Sequence, residues 1–214
     1  GAGNVATHLS KAIKNAGCQI LQIASRTEKS AKELGTLLDV PFTSSKEDFN
    51  TDADLYIYSV KDDAITEALR TFTPPTDALI VHTAGSVSME ILKDFSSNIG
   101  IFYPLQTFSK AKDVDFSQIP LYIEANNKDK ENELLLFAST FSTRAKLVNS
   151  ENRAKVHLAA VFACNFKSIP PRKAQTGPAI RRDSKVIEKQ LNALEGREKE
   201  IYKLITESIQ DEKL

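Results

Sequence analysis

The stretch Gly1-Ala2-Gly3-Asn4-Val5-Ala6 decides the fold, because it fits the pattern GxGxxA and leads directly into a helix. Apolar residues recur at helical spacing over residues 5–16, and Gly17 ends that predicted helix. In such a turn the first glycine allows a tight bend, the second lets a pyrophosphate approach the backbone, and the small sixth residue lets helix and sheet pack closely. A purely structural glycine turn is the alternative. We favour a dinucleotide site, and the residues expected to hold it are Gly1, Gly3, Asn4, Val5 and Ala6.

Strand-like and helix-like segments alternate along the first 150 residues. Short runs rich in Ile, Leu and Val predict strands at residues 19–24, 55–60, 78–82, 99–103, 121–124 and 146–148. Helices are predicted between them at residues 28–38, 63–72, 88–95 and 130–141. This alternation predicts an α/β domain over residues 1–150, with a doubly wound parallel sheet covered by helices on both faces. The central strand of such a sheet precedes the glycine turn, so we expect further residues before Gly1.

Residues 151–214 are predicted to form a small all-helical domain. A helix at residues 152–166 is apolar nearly all round, and amphipathic helices follow at residues 184–194 and 198–209. Because so few helices bury only a thin core, we expect a homodimer that associates through them. The buried helix that ends at residue 166 runs directly into residues 167–173 with no helical partner after it, which predicts either a tight exit or a segment missing near residues 166–173.

The residues after the second predicted strand distinguish NADP from NAD. Ser25, Arg26 and Thr27 stand where NAD sites carry an acidic residue for the ribose 2′-hydroxyl. Arg binds a 2′-phosphate that a carboxylate would repel, and Lys29 adds positive charge nearby. A solvated surface arginine is the alternative, and an S-adenosylmethionine methyltransferase would want an acid at this strand end. We therefore expect NADP(H) as the cofactor.

Charge and cysteine content exclude several other classes. Lys plus Arg and Asp plus Glu are both 28, so nothing electrostatic indicates nucleic acid or an anionic membrane. No apolar run approaches the roughly 18 residues of a membrane-spanning helix. The two cysteines form no CxxC motif, which argues against a disulfide scaffold or zinc and favours a cytoplasmic protein. The Asp62-Asp63 pair lacks companion ligands, so no metal is expected.

Polar residues at the predicted strand ends, and on the helix at residues 152–166, are candidates for the chemistry. Ligands of such sheets bind beyond the carboxyl ends of the strands. The catalytic candidates are His82, Ser86, Tyr103, Gln106, His157 and Asn165. His82 has either a role in the cleft or a structural hydrogen bond, whereas Tyr103 either donates a proton to a carbonyl or imine or caps a strand. His8 is expected to be a surface or packing residue.

Five segments make the sequence similar to a bacterial family named as NADP oxidoreductases. They are residues 1–6, Ser59 to Ile65, His82 to Val87, Tyr103 to Phe108, and Gln175 to Ala179 with Arg181 and Asp183. The resemblance implies a Rossmann-like N-terminal domain and a helical C-terminal domain of unknown function. The family is in turn similar to pyrroline-5-carboxylate reductases, deazaflavin-dependent NADP oxidoreductases and ketopantoate reductases. By analogy with the first of these, Val60, Lys61 and Gly85 lie near the nicotinamide half of the cofactor.

The sequence also departs from these relatives. Leu105 stands where the reductases have Asn, and Val161 stands where β-hydroxyacid dehydrogenases carry a proton-donating lysine. The helical stretch around Phe166 is shorter than in family members, and no substrate follows from the resemblance. We expect an NADP-dependent oxidoreductase that transfers a hydride to or from a small carbonyl or imine compound. The alternative is a non-catalytic NADP-binding sensor or scaffold protein.

Overall fold

The computed structural model describes residues 1–163, 178–179 and 182–211. It divides into two compact units, Gly1–His157 and Leu158–Leu214. This division falls inside the helix Ser150–Ala163, a few residues after the domain boundary that the sequence predicts at residue 150. Residues 164–177, which include Asn165 and the predicted interruption near residues 166–173, lie outside the described part of the chain.

The first unit alternates helices and strands, as the sequence predicts. Its strands are β1 (Ile23–Ala24), β2 (Phe42–Thr43), β3 (Leu55–Tyr58), β4 (Leu79–His82), β5 (Asn98–Pro104), β6 (Leu121–Ala125) and β7 (Ala145–Leu147). Its helices are α1 (Asn4–Asn15), α2 (Glu28–Leu38), α3 (Ile65–Thr71), α4 (Lys128–Ser139) and the first half of α5 (Ser150–Ala163). Short 3-10 helices lie at Asp62–Ala64, Met89–Leu92 and Phe116–Gln118.

The strands form two sheets. β1 and β2 pair in parallel, and the larger sheet has the order β3-β4-β5-β6-β7. β3, β4 and β5 are parallel, so their carboxyl ends lie at one edge, which is where a doubly wound fold binds its ligand. β6 runs antiparallel to β5, a local exception to the predicted parallel sheet. The result is a mostly parallel α/β fold of Rossmann type.

Helices cover both faces of the larger sheet. Adjacent residues of a strand point to opposite faces, so neighbouring residues of β4 pack against different helices. Val81 and Phe102 pack in one cluster with Leu9 of α1 and Leu134 of α4. Ile80 packs in a second cluster with Ile65 and Leu69 of α3. β4 is buried on both faces, as expected for an inner strand of a doubly wound sheet.

Two local predictions differ from the structure. The segment at residues 88–95 is held by bonds from Lys93 N to Glu90 O and from Phe95 N to Leu92 O, so it forms 3-10 turns instead of an α-helix. The strand predicted at residues 19–24 shortens to Ile23–Ala24, and it pairs with the unpredicted β2. Both strands of that pair have only two residues, which is too short for an alternating pattern to be visible in the sequence.

The described part of the second unit contains α6 (Ser184–Asn192) and α7 (Gly196–Asp211). Asp183 caps α6 by accepting a hydrogen bond from Val186 N, and Ile187, Leu194 and Tyr202 form a small buried cluster. These helices agree with the predicted pair at residues 184–194 and 198–209. Among the described residues, no helix is long and apolar enough to span a membrane.

Candidate functional site

The glycine turn, residues 1–6, lies at the carboxyl edge of both sheets. The backbone nitrogen of Gly1 donates to Ala24 O at 2.8 Å, just at the end of β1. On its other side, a Cβ added to Gly1 would lie 2.1 Å from the carbonyl oxygen of Ser59, which follows β3. Any side chain at position 1 would therefore collide with backbone. This close approach explains the first glycine of the GxGxxA pattern.

The second glycine leaves space in front of α1. Gly3 is the N-cap residue of α1, and a Cβ there would meet no heavy atom within 4 Å. No side chain caps this helix and its first turn carries no acidic residue, so its N–H groups and positive dipole end face that space. Ala6 is buried against Ala2 and Ile23, which agrees with the need for a small sixth residue where the helix packs closely on the sheet. These features fit the pyrophosphate of a dinucleotide.

The end of β1 carries the residues predicted to recognise the 2′-phosphate. Ser25 N bonds to Thr43 O, which fixes the backbone beside β2. Thr27 Oγ1 donates to Ser30 Oγ at 2.9 Å. Arg26 is exposed, and its guanidinium forms no hydrogen bond or ion pair with any described residue. An arginine after β1 whose N–H groups form no bond within the described residues fits the 2′-phosphate of NADP, the cofactor that the sequence predicts.

A tyrosine and a histidine meet at the carboxyl end of β5. The Tyr103 hydroxyl lies 2.6 Å from Nδ1 of His157, a residue in the second turn of α5. The two rings are in edge contact, with centroids 5.4 Å apart. A Cβ added to Gly85 would lie 2.3 Å from His157 Nδ1 and 2.8 Å from Tyr103 Cζ, so only glycine fits beneath the pair. The structure thus brings together three residues that the sequence suggested separately.

Burial and nearby charges shift the pKa of His157. Burial lowers the pKa of His157 below its ordinary value of 6.5, and the positive charge of Arg153 acts in the same direction. Asp62 opposes them by raising that pKa, but burial is the larger effect. The imidazole is therefore neutral at neutral pH. In that state Nδ1 either accepts a hydrogen bond from the Tyr103 hydroxyl or donates one to the Tyr103 oxygen, depending on the tautomer.

Other predicted residues have different surroundings. His82 is fully buried, its Nδ1 accepts from Ala84 N at 3.2 Å, and its Nε2 lies 3.4 Å from Ser88 O. These contacts are of the structural kind, and the role of His82 in the cleft stays a prediction. The Gln106 side chain is exposed and accepts a bond from Thr107 N, so it is turned toward its own backbone. Ser86 Oγ donates to Asp62 Oδ2 at 3.1 Å, which keeps Ser86 near the Tyr103–His157 pair.

Three further predictions concern the rim of the site. Asn4 donates from Nδ2 to Phe108 O at 2.9 Å, so its side chain orders the loop after β5. His8 is buried and stacks on Phe108, in agreement with a packing role. Val60 is half-buried and Lys61 is exposed directly after β3, close in sequence to the Ser59 carbonyl beneath Gly1. Among the described residues, no group of His, Cys, Asp and Glu side chains could hold a metal ion.

The sequence analysis missed two buried charges, Arg153 and Glu124. Arg153 is 1% exposed, and it donates to the carbonyl oxygens of Ala84, Gly85 and Val87. Its Nε lies 3.5 Å from Glu124 Oε2. In the sequence Arg153 stands among Glu151 and Lys155 and resembles a solvated charge. The signal that could have identified it is its position four residues before His157, on the same helix face.

The glycine turn and the exposed Arg26 fit the class of proteins that bind a dinucleotide. The family model described as "NADP oxidoreductase coenzyme F420-dependent" matches residues 1–85. The domain of unknown function DUF2520 matches residues 119–169 and 166–209. A comparison with curated proteins finds no match.

Three solved structures are similar to this chain. An inferred NADP oxidoreductase from Bacteroides fragilis is 38% identical, with 99% of this chain and 96% of that chain covered and a TM-score of 0.74. The chain therefore belongs to this family of NADP oxidoreductases, and NADP is its cofactor. A pyrroline-5-carboxylate reductase from Coxiella burnetii shares the fold at 18% identity, covering 97% and 74% of the two chains, with a TM-score of 0.57. An imine reductase from Myxococcus stipitatus, solved with NADP+, shares it at 14% identity, covering 98% and 71%, with a TM-score of 0.58.

Proposed function

We propose that the protein transfers a hydride between NADP(H) and a small carbonyl or imine compound, with Tyr103 as the proton donor and His157 as its partner. The observation that carries the proposal is the 2.6 Å contact between the Tyr103 hydroxyl and His157 Nδ1 at the carboxyl edge of the sheet. Reduction of a C=O or C=N bond needs a proton as well as a hydride. Tyr103 and His157 supply a proton-exchanging pair at the edge where the fold holds its cofactor.

The cofactor supplies the hydride chemistry when bound, and the protein supplies orientation and the proton. In the direction of reduction, the Tyr103 hydroxyl gives its proton to the substrate oxygen or nitrogen. The neutral His157 ring, with its proton on Nδ1, then passes that proton to the Tyr103 oxygen while its Nε2 takes up a proton from solvent. Because burial lowers the pKa of His157, the ring is neutral before and after this transfer. In oxidation the same protons move in the reverse order.

No lysine takes this role at the position used by the β-hydroxyacid dehydrogenases, where the chain has Val161. Arg153 does not take it either, because its Nη1 and Nη2 groups bond to the backbone carbonyls of residues 84, 85 and 87. Tyr103 and His157 are therefore the pair best placed to move a proton in the described part of the site.

The test is consumption of NADPH with a panel of 2-ketoacids and cyclic imines. Tyr103→Phe should lower kcat by about 10²- to 10⁴-fold, the usual contribution of a general acid, while the affinity for NADPH stays unchanged. Tyr122→Phe is the matched control, because Tyr122 stacks beside Tyr103 at 6.5 Å without contacting His157. A Tyr103→Phe variant with the wild-type kcat would refute the assignment. NADPH binding without turnover of any compound would favour the non-catalytic sensor or scaffold.

We further propose that the protein is a homodimer held by its C-terminal helices. Ile201, Leu204 and Ile205 recur at helical spacing on α7, and 44%, 66% and 40% of their surfaces are exposed. An apolar face of this kind on an amphipathic helix gains stability when a second copy covers it. A two-fold interface places the same face of each copy in contact.

A further inference from the structure

Arg153 is a buried cation whose hydrogen bonds all go to the protein itself. Its Nη1 donates to Ala84 O at 3.0 Å and to Gly85 O at 2.7 Å. Its Nη2 donates to Val87 O at 2.8 Å and lies 3.5 Å from Ser150 Oγ. Nε lies 3.5 Å from Glu124 Oε2, and it is buried without a hydrogen-bond partner among the described residues, so it pairs with the carboxylate through charge. Arg153 therefore acts on residues 84–87, which we call the β4 turn.

Glu124 holds the guanidinium in place from the other side. Its carboxylate accepts hydrogen bonds from the backbone nitrogen of Ser150 at 3.1 Å and from Ser150 Oγ at 2.7 Å. Ser150 is the first residue of α5, so the negative charge also lies at the positive end of the helix dipole. The same carboxylate thus fixes the start of α5 and neutralises the arginine on its first turn.

The β4 turn is the floor of the Tyr103–His157 pair. A Cβ on Gly85 would overlap both rings, so a small movement of this turn changes the space around them. Ser86 links the turn to Asp62, whose charge acts on His157. Arg153 and His157 are one helical turn apart on α5, so the arginine sets the distance between the turn and the histidine.

Stability alone does not explain this arrangement. A buried ion pair is on average worth no more than apolar side chains of similar volume, because desolvation offsets the attraction. A planar guanidinium, in contrast, holds several carbonyl oxygens in a fixed geometry that a single ammonium does not reproduce. The contacts of Arg153 with three carbonyls of one turn use that geometry.

We propose that Arg153 is a positioning residue for hydride transfer, which fixes the β4 turn against the Tyr103–His157 pair. The inference rests on the proposed function, because the turn matters for catalysis only if the pair moves protons. Arg153 touches neither cofactor nor substrate in this proposal. It acts through Gly85 and His157.

The experiment compares wild type with Arg153→Ala, Arg153→Lys and the control Lys155→Ala. Lys155 is on the same helix but pairs with Glu151 on the surface, so its loss leaves the β4 turn unchanged. For Arg153→Ala we expect kcat to fall by about 100-fold, the usual effect of a 1 Å misplacement, with NADPH affinity nearly unchanged. Added guanidinium ion should restore part of kcat in Arg153→Ala and none in Lys155→Ala. Arg153→Lys keeps the positive charge but loses the planar set of N–H donors, so its kcat should also fall.

A second readout does not need turnover. Amide hydrogen exchange of Gly85, Ser86 and Val87 should be faster in Arg153→Ala than in Lys155→Ala, because the carbonyls of the turn lose their donor. If wild type turns over no compound, the proposed function fails while this exchange still decides whether Arg153 fixes the turn. Wild-type kcat and wild-type exchange in a folded Arg153→Ala would overturn the inference. If Arg153→Ala does not fold, wild-type values in Arg153→Lys would overturn it equally.

Discussion

Replacing Gly3 with alanine should separate cofactor binding from folding. The backbone of Gly3 has a φ of −82°, which alanine adopts without strain, and its Cβ would meet no heavy atom within 4 Å. Alanine is a poorer N-cap than glycine by up to about 1 kcal/mol. It also removes about 0.4–1 kcal/mol of unfolded-state entropy. The two effects oppose each other, so the free energy of unfolding should change by less than about 0.5 kcal/mol.

Binding of NADPH should respond much more strongly. The added methyl group occupies the space in front of α1 through which phosphate oxygens reach the helix N–H groups. Loss of two charge-assisted hydrogen bonds, at about 1.5–3 kcal/mol each, removes about 3–6 kcal/mol. The dissociation constant for NADPH should therefore rise by a factor on the order of 10² to 10⁴.

Fluorescence titration with NADPH and thermal unfolding of the same samples measure the two effects. Gly35→Ala is the matched control, because its Cβ would lie 2.7 Å from the Cβ of Phe42, away from the glycine turn. That variant should change the melting temperature and leave NADPH affinity as in wild type. Wild-type affinity in Gly3→Ala would show that the phosphates do not approach the backbone at this residue, and would refute the reasoning.

Three other predictions follow from the structure. NADPH should bind at least about tenfold more tightly than NADH, and Arg26→Asp should erase or invert that preference; equal titration curves in wild type would contradict it. Because the folded state lowers the pKa of His157, the unfolded chain binds more protons below pH 6.5, so the free energy of unfolding should fall as pH drops through that value. His157→Asn should flatten this dependence in denaturant titrations at several pH values, and an unchanged slope would refute the link. Sedimentation should show a dimer burying about 2,000 Å² or more in total, which Leu204→Glu disrupts and the exposed control Leu136→Glu does not; a wild-type monomer would exclude it.

The parts of the fold that depend on local pattern could be predicted from the sequence. Helix α2 has the predicted bounds of residues 28–38. The ends of β4 and β5 differ from the predicted ends by no more than one residue. The antiparallel direction of β6 could not be predicted, because a buried strand has the same composition in either direction. The segment with the 3-10 turns at Met89–Leu92 is bonded to distant residues on both sides, through Arg153 Nη2 to Val87 O and through Ser97 N to Thr76 O. Periodicity alone carries no record of such constraints.

The residues of the candidate site could be proposed from the sequence, but the contacts that hold them together could not. GxGxxA and Arg26 have sequence signatures because each position has a distinct physical demand. Tyr103 and His157 were separate candidates, and only the fold brings residues 54 positions apart to 2.6 Å. Arg153 and Glu124 were missed because burial of a charge depends on its partner, which lies elsewhere in the chain. Apart from the position of Arg153 four residues before His157, nothing near either residue in the sequence distinguishes it from a solvated charge.

The contacts of Arg153 also bear on the kinetics of folding. They join residues 66 to 69 positions apart, whereas Ser59 and Thr83, at the ends of neighbouring strands, are 24 apart. Closing the longer loop has the larger entropic cost, so contacts across it form late on the folding pathway. Interactions absent from the folding transition state change the rate of unfolding and leave the rate of folding nearly unaltered. We therefore expect the arginine that orders the site to determine chiefly how long each molecule stays folded.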